Sequence, residues 1–134
     1  MKKLLLAALL FSALGLKAQQ SSDLQKHYEA FYKQMRVQAD VNGVVQALTH
    51  LNVLEPTIAR RDTLAYVYSS NNQYIQALNL LGIEKLDTDS DLAVQVKAVS
   101  LKALEQPKRA LEHFEVLAKR NPTAYLFYEV SDLK

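Results

Sequence analysis

A pattern of small and large apolar residues recurs 33 positions apart in this chain, most clearly from Ala77 to Ala110. Its members are Leu64, Ala65, Tyr68, Tyr74, Ala77 and Leu81 in one segment, and Ala98, Leu101, Ala110, Phe114 and Pro122 in the next. A period of about 20–50 residues is typical of stacked repeats, in which one unit cannot bury its apolar face alone. The pattern therefore favours a binding scaffold over a catalytic domain.

The chain is predicted to be all-α, because it has only three glycines and three prolines and its apolar residues follow a helical spacing. The first predicted helix begins near Asp23 with a Ser22–Gln25 capping box. The second runs from Val44 to Leu54 after a turn at 40–43, and the third starts at Pro56-Thr57. The fourth helix is predicted to begin at Tyr74, and the fifth has Ser90 or Asp91 as its N-cap. The sixth begins at Pro107, and the seventh runs from Tyr125 to Leu133.

Short connections between helices of this length make neighbouring helices antiparallel, so the chain is expected to be a row of helical hairpins. Residues 19–134 should form one domain. It is predicted to contain a divergent hairpin at 23–54, repeats at 57–86 and 91–122, and a terminal helix at 123–133. In the divergent hairpin, Ala47 is taken as the counterpart of Ala77 although it lies only 30 positions earlier.

Residues 1–18 have the pattern of a secretory signal peptide. Lys2 and Lys3 precede a short apolar run, and a small residue, Ala18, marks the predicted cleavage site. The run is shorter than the roughly 20 apolar residues that a transmembrane helix needs. We therefore predict a periplasmic or secreted protein that does not insert into the membrane once the signal is removed.

The excess of basic over acidic residues in the whole chain comes from that signal. The whole sequence has 16 basic and 14 acidic residues, and removal of Lys2, Lys3 and Lys17 leaves 13 against 14. This balance provides no basic patch for nucleic acid. The absence of cysteine excludes disulfides and thiol chemistry. No cofactor is expected.

The recurring residues resemble the tetratricopeptide repeat. That family has Leu and a small residue in its first helix with an aromatic residue three positions on, then Tyr, Ala and a large apolar residue in the second. The resemblance covers roughly residues 40–128. It departs from the family pattern at Lys97, where leucine is usual, at Pro107, where tyrosine is usual, and at Asp89, where a proline would close the unit.

The resemblance implies a short right-handed solenoid of antiparallel hairpins that binds a protein or peptide on its concave face and is not an enzyme. The first helix of each hairpin should line that face. Its exposed positions are expected to be Asp62, Tyr66, Ser69, Gln95, Val99 and Lys102. Tyr66 is the foremost candidate, because exposed tyrosines are frequent interface anchors. Packing of Tyr66 between hairpins is the alternative.

Other chemistry has weaker support. Asp87-x-Asp89-x-Asp91 resembles the start of a calcium loop, but Leu92 and Ala98 stand where the loop requires Gly and Glu, so a solvated loop is expected. The three histidines, His27, His50 and His113, lack metal-ligand spacing and are expected at the surface or half-buried. No nucleophile elbow or Gly-rich phosphate loop occurs.

Two alternatives to a binding scaffold remain open, a small exported helical bundle with a structural role and an enzyme whose site assembles from dispersed residues. The terminal helix bears on this choice. Tyr125, Leu126, Phe127, Tyr128 and Val130 make it more apolar than a solvated capping helix. We expect helix 123–133 to dock on a partner or on further repeats.

Overall fold

The computed structural model describes residues 21–134, which contain seven helices and no strand, as predicted. The predicted signal peptide at 1–18 lies outside the described residues. The helices are α1 (21–37), α2 (Val41–Leu54), α3 (Ile58–Ser70), α4 (Tyr74–Leu81), α5 (Asp91–Ala103), α6 (Pro107–Arg120) and α7 (Ala124–Leu133). None of these helices is long and apolar enough to cross a membrane. The described residues divide into two compact units, residues 21–56 and 57–134.

Two details of the first unit differ from the prediction. Ser22 lies inside α1, which is already helical at residue 21, so Ser22-x-x-Gln25 is not a capping box in the structure. Asp40 is the N-cap of α2 and accepts a hydrogen bond from the Gly43 amide, so residues 41–43 form the first helical turn instead of a loop. The Asp40 cap outweighs the turn propensity of Asn42-Gly43, because it satisfies a free amide of that turn.

Helices α1 and α2 form an antiparallel hairpin. Tyr28 stacks on His50 with ring centroids 4.3 Å apart, and Met35 lies against Gly43 near the turn. A Cβ atom added to Gly43 would lie 2.3 Å from the Met35 sulfur. Gly43 therefore permits the close approach of the two helices that the buried Met35 requires.

In the second unit, α3 packs on α4 and α5, α5 packs on α4 and α6, and α6 packs on α7. One apolar cluster joins α5, α6 and α7 through residues that include Val94, Phe114 and Leu126. A second cluster joins α3, α4 and α5 and includes Ala65, Ala77 and Ala93, all without exposed surface. These small residues allow close approach between the helices.

Backbone geometry repeats with the same 33-residue period in all three hairpins. Among residues 21–134, the residues with positive φ outside glycine are Ala39, Asn72 and Glu105, with φ of 55°, 63° and 60°. Each of these residues ends the first helix of a hairpin in a Schellman motif. In this motif the amide of the following residue donates to the carbonyl five residues before it, at a distance of 2.8–2.9 Å. This spacing corrects the counterpart of Ala77 in the first hairpin from Ala47 to Val44.

The connections between hairpins repeat as well. Thr57, Ser90 and Thr123 are N-caps spaced 33 residues apart, and each side-chain oxygen accepts from the amide three residues later. The largest departure from this 33-residue repeat is the early end of α4. That helix stops at Leu81, where Gly82 has a φ of +77°, and residues 82–90 continue as a loop.

Candidate functional site

The predicted binding residues fall into two groups. Tyr66 and Gln95 are exposed, Lys102 is exposed, and Val99 is half-buried. Asp62 and Ser69, predicted to be exposed, are instead only 3% and 8% exposed. The prediction of an exposed position is therefore wrong for these two residues, and the accessible part of the set is Tyr66, Gln95, Val99 and Lys102.

Asp62 is buried because it joins α3 to the start of α5. Its carboxylate accepts a hydrogen bond from the Ser90 hydroxyl at 2.6 Å and lies 3.0 Å from the Arg61 guanidinium. The Ser90 oxygen also accepts from the Ala93 amide, so one side chain caps α5 and contacts α3. Further along the helices, the Ser100 hydroxyl donates to Ser69 at 3.4 Å.

Lys102 extends the connection between first helices from α5 to α7. Its Nζ lies 2.5 Å from a carboxylate oxygen of Glu129, whose side chain is nearly buried. The hydrogen bond from Lys102 to Glu129 raises the pKa of Lys102, and burial opposes this effect. The charge of Lys102 is therefore compensated within the protein.

The 33-residue period places two further residues at the positions of the predicted set. Tyr128 corresponds to Asp62 and Gln95, and Asp132 corresponds to Tyr66 and Val99. Tyr128 is 64% exposed, and Asp132 is also exposed. We define the first-helix face as Tyr66, Gln95, Val99, Lys102, Tyr128 and Asp132. Extending the sequence period by one unit could have identified the last two.

A cleft of about 230 Å³ lies beside this face. Its lining residues are Asp91, Gln95, Leu117, Arg120, Asn121, Thr123, Tyr125 and Leu126. Burial raises the pKa of Tyr125, and the nearby Glu129 carboxylate raises it further. The Tyr125 phenol therefore remains a neutral hydrogen-bonding group at neutral pH. The cleft combines apolar walls with a phenol, two amides, a hydroxyl and the Arg120–Asp91 ion pair, which suits a peptide side chain.

The aspartates at 87–91 do not form a solvated loop throughout. Asp89 is buried and its Oδ2 lies 2.7 Å from Lys97 Nζ. Arg120 donates to the carbonyl of Asp89 at 2.8 Å and to the side chain of Asp91 at 3.0 Å. Lys97 also donates to the Glu84 carbonyl at 3.0 Å. The protein's own cations thus bind two of the three carboxylates that the calcium pattern suggested, those of Asp89 and Asp91, and residues 21–134 contain no cluster able to hold a metal.

His113 differs from the prediction of a surface or half-buried histidine, since it is only 1% exposed. Its Nε2 lies 3.0 Å from the Ile83 carbonyl, which can only accept, so Nε2 carries the proton. Nδ1 is buried without a hydrogen-bond partner. Burial lowers the pKa of His113, and the Ile83 hydrogen bond opposes this effect. His27 and His50 are exposed as predicted.

No family model, curated protein or solved structure matches this chain.

Proposed function

We propose that this protein is an exported interaction scaffold that binds a protein or peptide segment along the first-helix face of a short, right-handed array of tetratricopeptide-like hairpins. Export depends on the predicted signal at 1–18. The single observation that carries the proposal is the connection between first helices. Asp62 bonds to Ser90 between α3 and α5, and Lys102 bonds to Glu129 between α5 and α7.

These partly buried polar bonds hold the helices whose outer sides carry the exposed aromatic residues. Tyr66 and Tyr128 are 46% and 64% exposed, and tyrosines of this kind contribute large contact areas at low entropic cost. Gln95, in the position equivalent to Tyr128, adds an amide beside the cleft. A face with two tyrosines, an amide and a lysine already paired with Glu129 favours an extended peptide with apolar and polar side chains over a strongly charged ligand.

The test is site-specific photo-cross-linking in the native envelope. A photoreactive phenylalanine analogue replaces Tyr66 or Tyr128 in the full chain. The matched control replaces Ile75, which is 61% exposed but lies on α4, a second helix. We expect both tyrosine positions to cross-link the same polypeptide and the Ile75 position to cross-link it much less.

The captured polypeptide is then measured against purified variants. Tyr66→Ala and Tyr128→Ala should each weaken its affinity about tenfold or more, the usual effect of removing a central interface aromatic residue. The far-ultraviolet circular dichroism and melting temperature should not change. If both variants bind as tightly as the wild type, or if Ile75 cross-links equally well, the first-helix face is not the binding surface.

A further inference from the structure

Helix α7 presents a second surface, on the side where it meets α6. A groove of about 360 Å³ lies there and is largely apolar at its base. Its lining residues are Glu115, Ala118, Lys119, Phe127, Val130 and Lys134. Phe127 is 59% exposed, whereas its neighbour Leu126 is buried in the core. None of these lining residues belongs to the first-helix face.

The repeat within the chain shows what covers the equivalent surface one unit earlier. Because Ser90 and Thr123 are equivalent N-caps, Phe127 corresponds to Val94 and Ser131 corresponds to Ala98. Val94 is 2% exposed and Ala98 is fully buried. Ser131, in contrast, is exposed.

The apolar surface of α5 that contains Val94 and Ala98 is buried by an amphipathic helix. Helix α6 packs on α5, and its Ala110, Phe114 and Leu117 belong to the same apolar cluster as Val94 and Ala98. These three α6 residues have the spacing i, i+4 and i+7, which places them on one side of a helix. A small residue followed by two large ones is thus the pattern that fits a surface of this type.

We propose that the groove between α6 and α7 binds one amphipathic α-helix of a partner protein, in the same way that α6 covers α5. The groove continues the packing of α6 on α5 by one 33-residue unit. The partner helix carries a small residue opposite Ser131 and large apolar residues four and seven positions later. Lys119 and Lys134 border the groove, so acidic residues beside the apolar stripe complement these two ammonium groups.

A second copy of α7 fits this groove less well than such a helix. Ala124 and Tyr128 provide a small and a large residue at i and i+4, but Ser131 occupies i+7, where a large apolar residue is needed. A second copy of α7 also brings its own Lys134 to a rim that already has Lys119 and Lys134. The residue pattern and the charge therefore both favour a different chain.

The probe for the test is a labelled peptide with the sequence of residues 106–121, which has the required apolar pattern, with Arg109→Glu and Lys119→Glu so that acidic residues flank the stripe. A hydrocarbon staple joins positions 108 and 112, which are exposed in α6, so that the helix is formed before binding. Binding to the full chain is measured by fluorescence anisotropy. A stapled peptide with the Phe114→Asp change serves as the negative probe.

We expect the stapled peptide to bind the wild type and to lose at least about tenfold in affinity with Phe127→Asp. The matched control is Ile75→Asp, a similarly exposed apolar residue on α4 that should bind as the wild type does. Circular dichroism verifies that both variants remain helical. Equal binding by Phe127→Asp and Ile75→Asp would overturn the proposal, as it would indicate exchange with the protein's own α6 or binding elsewhere.

Sedimentation equilibrium tests whether a second copy of the chain, instead of a partner helix, occupies the groove. If the wild type forms a dimer that Phe127→Asp abolishes, while the stapled peptide does not bind, the groove is an interface between copies and the proposal is wrong. A monomer that does not bind the peptide also contradicts it. Loss of cross-linking at Tyr66 has no bearing on this result, so the two surfaces are tested separately.

Discussion

Lys97 and Asp89 form an ion pair in the interior of the 57–134 unit, with Nζ and Oδ2 2.7 Å apart and side chains 1% and 5% exposed. Both residues are departures from the tetratricopeptide pattern, a lysine in place of leucine and an aspartate in place of the closing proline. The structure shows that the two departures compensate each other. Lys97 also donates to the Glu84 carbonyl and so holds the loop that follows the shortened α4.

Removing one partner of this pair is expected to be strongly destabilising. Asp89→Ala leaves a buried lysine without a counter-charge, which costs about 3–5 kcal/mol in comparable cases. The free energy of unfolding is measured by urea titration of Asp89→Ala, Lys97→Leu and the double variant. The double variant should be much more stable than the sum of the two single effects predicts, because both charges are then removed. Additive effects would contradict a direct dependence between the two residues.

The helices were predictable because their signals are local. Most helix boundaries agree to within a few residues, since caps such as Ser90 and breakers such as Pro56 act on their immediate neighbours. The buried polar residues were not predictable, because their partners are distant in sequence. Asp62 bonds to a serine 28 positions away, and His113 contacts a carbonyl 30 positions away. Sequence spacing alone gives no indication of such pairs.

The candidate site was predictable in part for the same reason. Tyr66 and Gln95 are exposed because the helical period places them away from the core, and that period is visible in the sequence. Ser69 has the same local pattern, yet it is buried because α5 places Ser100 against it. The position of α5 therefore determines that Ser69 is buried while Tyr66 is exposed.

The free energy of unfolding should decrease as the pH falls below about 6.5, the ordinary pKa of histidine. Burial lowers the pKa of His113 in the folded state, while the unfolded histidine keeps a pKa near 6.5. The unfolded state therefore binds the proton first as the pH falls, and stability is lost from about pH 6.5 downward to the lower pKa of the folded state. Protonation would also place a hydrogen on Nδ1, which has no acceptor.

This pH effect is tested by urea unfolding at several pH values between 7.5 and 5, compared with His113→Gln. The glutamine amide can still donate toward Ile83 but does not titrate in this range. One proton contributes at most about 1.4 kcal/mol per pH unit. We expect the wild type to lose more stability than His113→Gln over this range. Parallel pH profiles would show that His113 does not control the effect, since the exposed His27 and His50 remain in both proteins.

Lys102→Glu is expected to destabilise the protein even though Lys102 is exposed. The substitution places a carboxylate beside the nearly buried Glu129, so an attractive contact between α5 and α7 becomes a repulsive one. We expect a clear decrease in the melting temperature, whereas Lys102→Arg keeps the charge and should have little effect. An unchanged melting temperature in Lys102→Glu would mean that the pair does not stabilise α7. Tyr66→Ala is therefore a cleaner test of binding than Lys102→Glu.

Glu105→Gly is expected to stabilise the protein. Glu105 has a φ of +60° in the Schellman motif at the end of α5, a left-handed conformation that costs roughly 1–2 kcal/mol for a residue with a Cβ. Glycine adopts it without strain but loses about 0.5–1 kcal/mol of chain entropy, so a net gain of roughly 0.5–1 kcal/mol should appear in urea unfolding. The matched control is Ala103→Gly, two positions earlier in the right-handed part of α5, which should destabilise by a similar amount. If both glycines destabilise equally, the left-handed conformation at position 105 is not a source of strain.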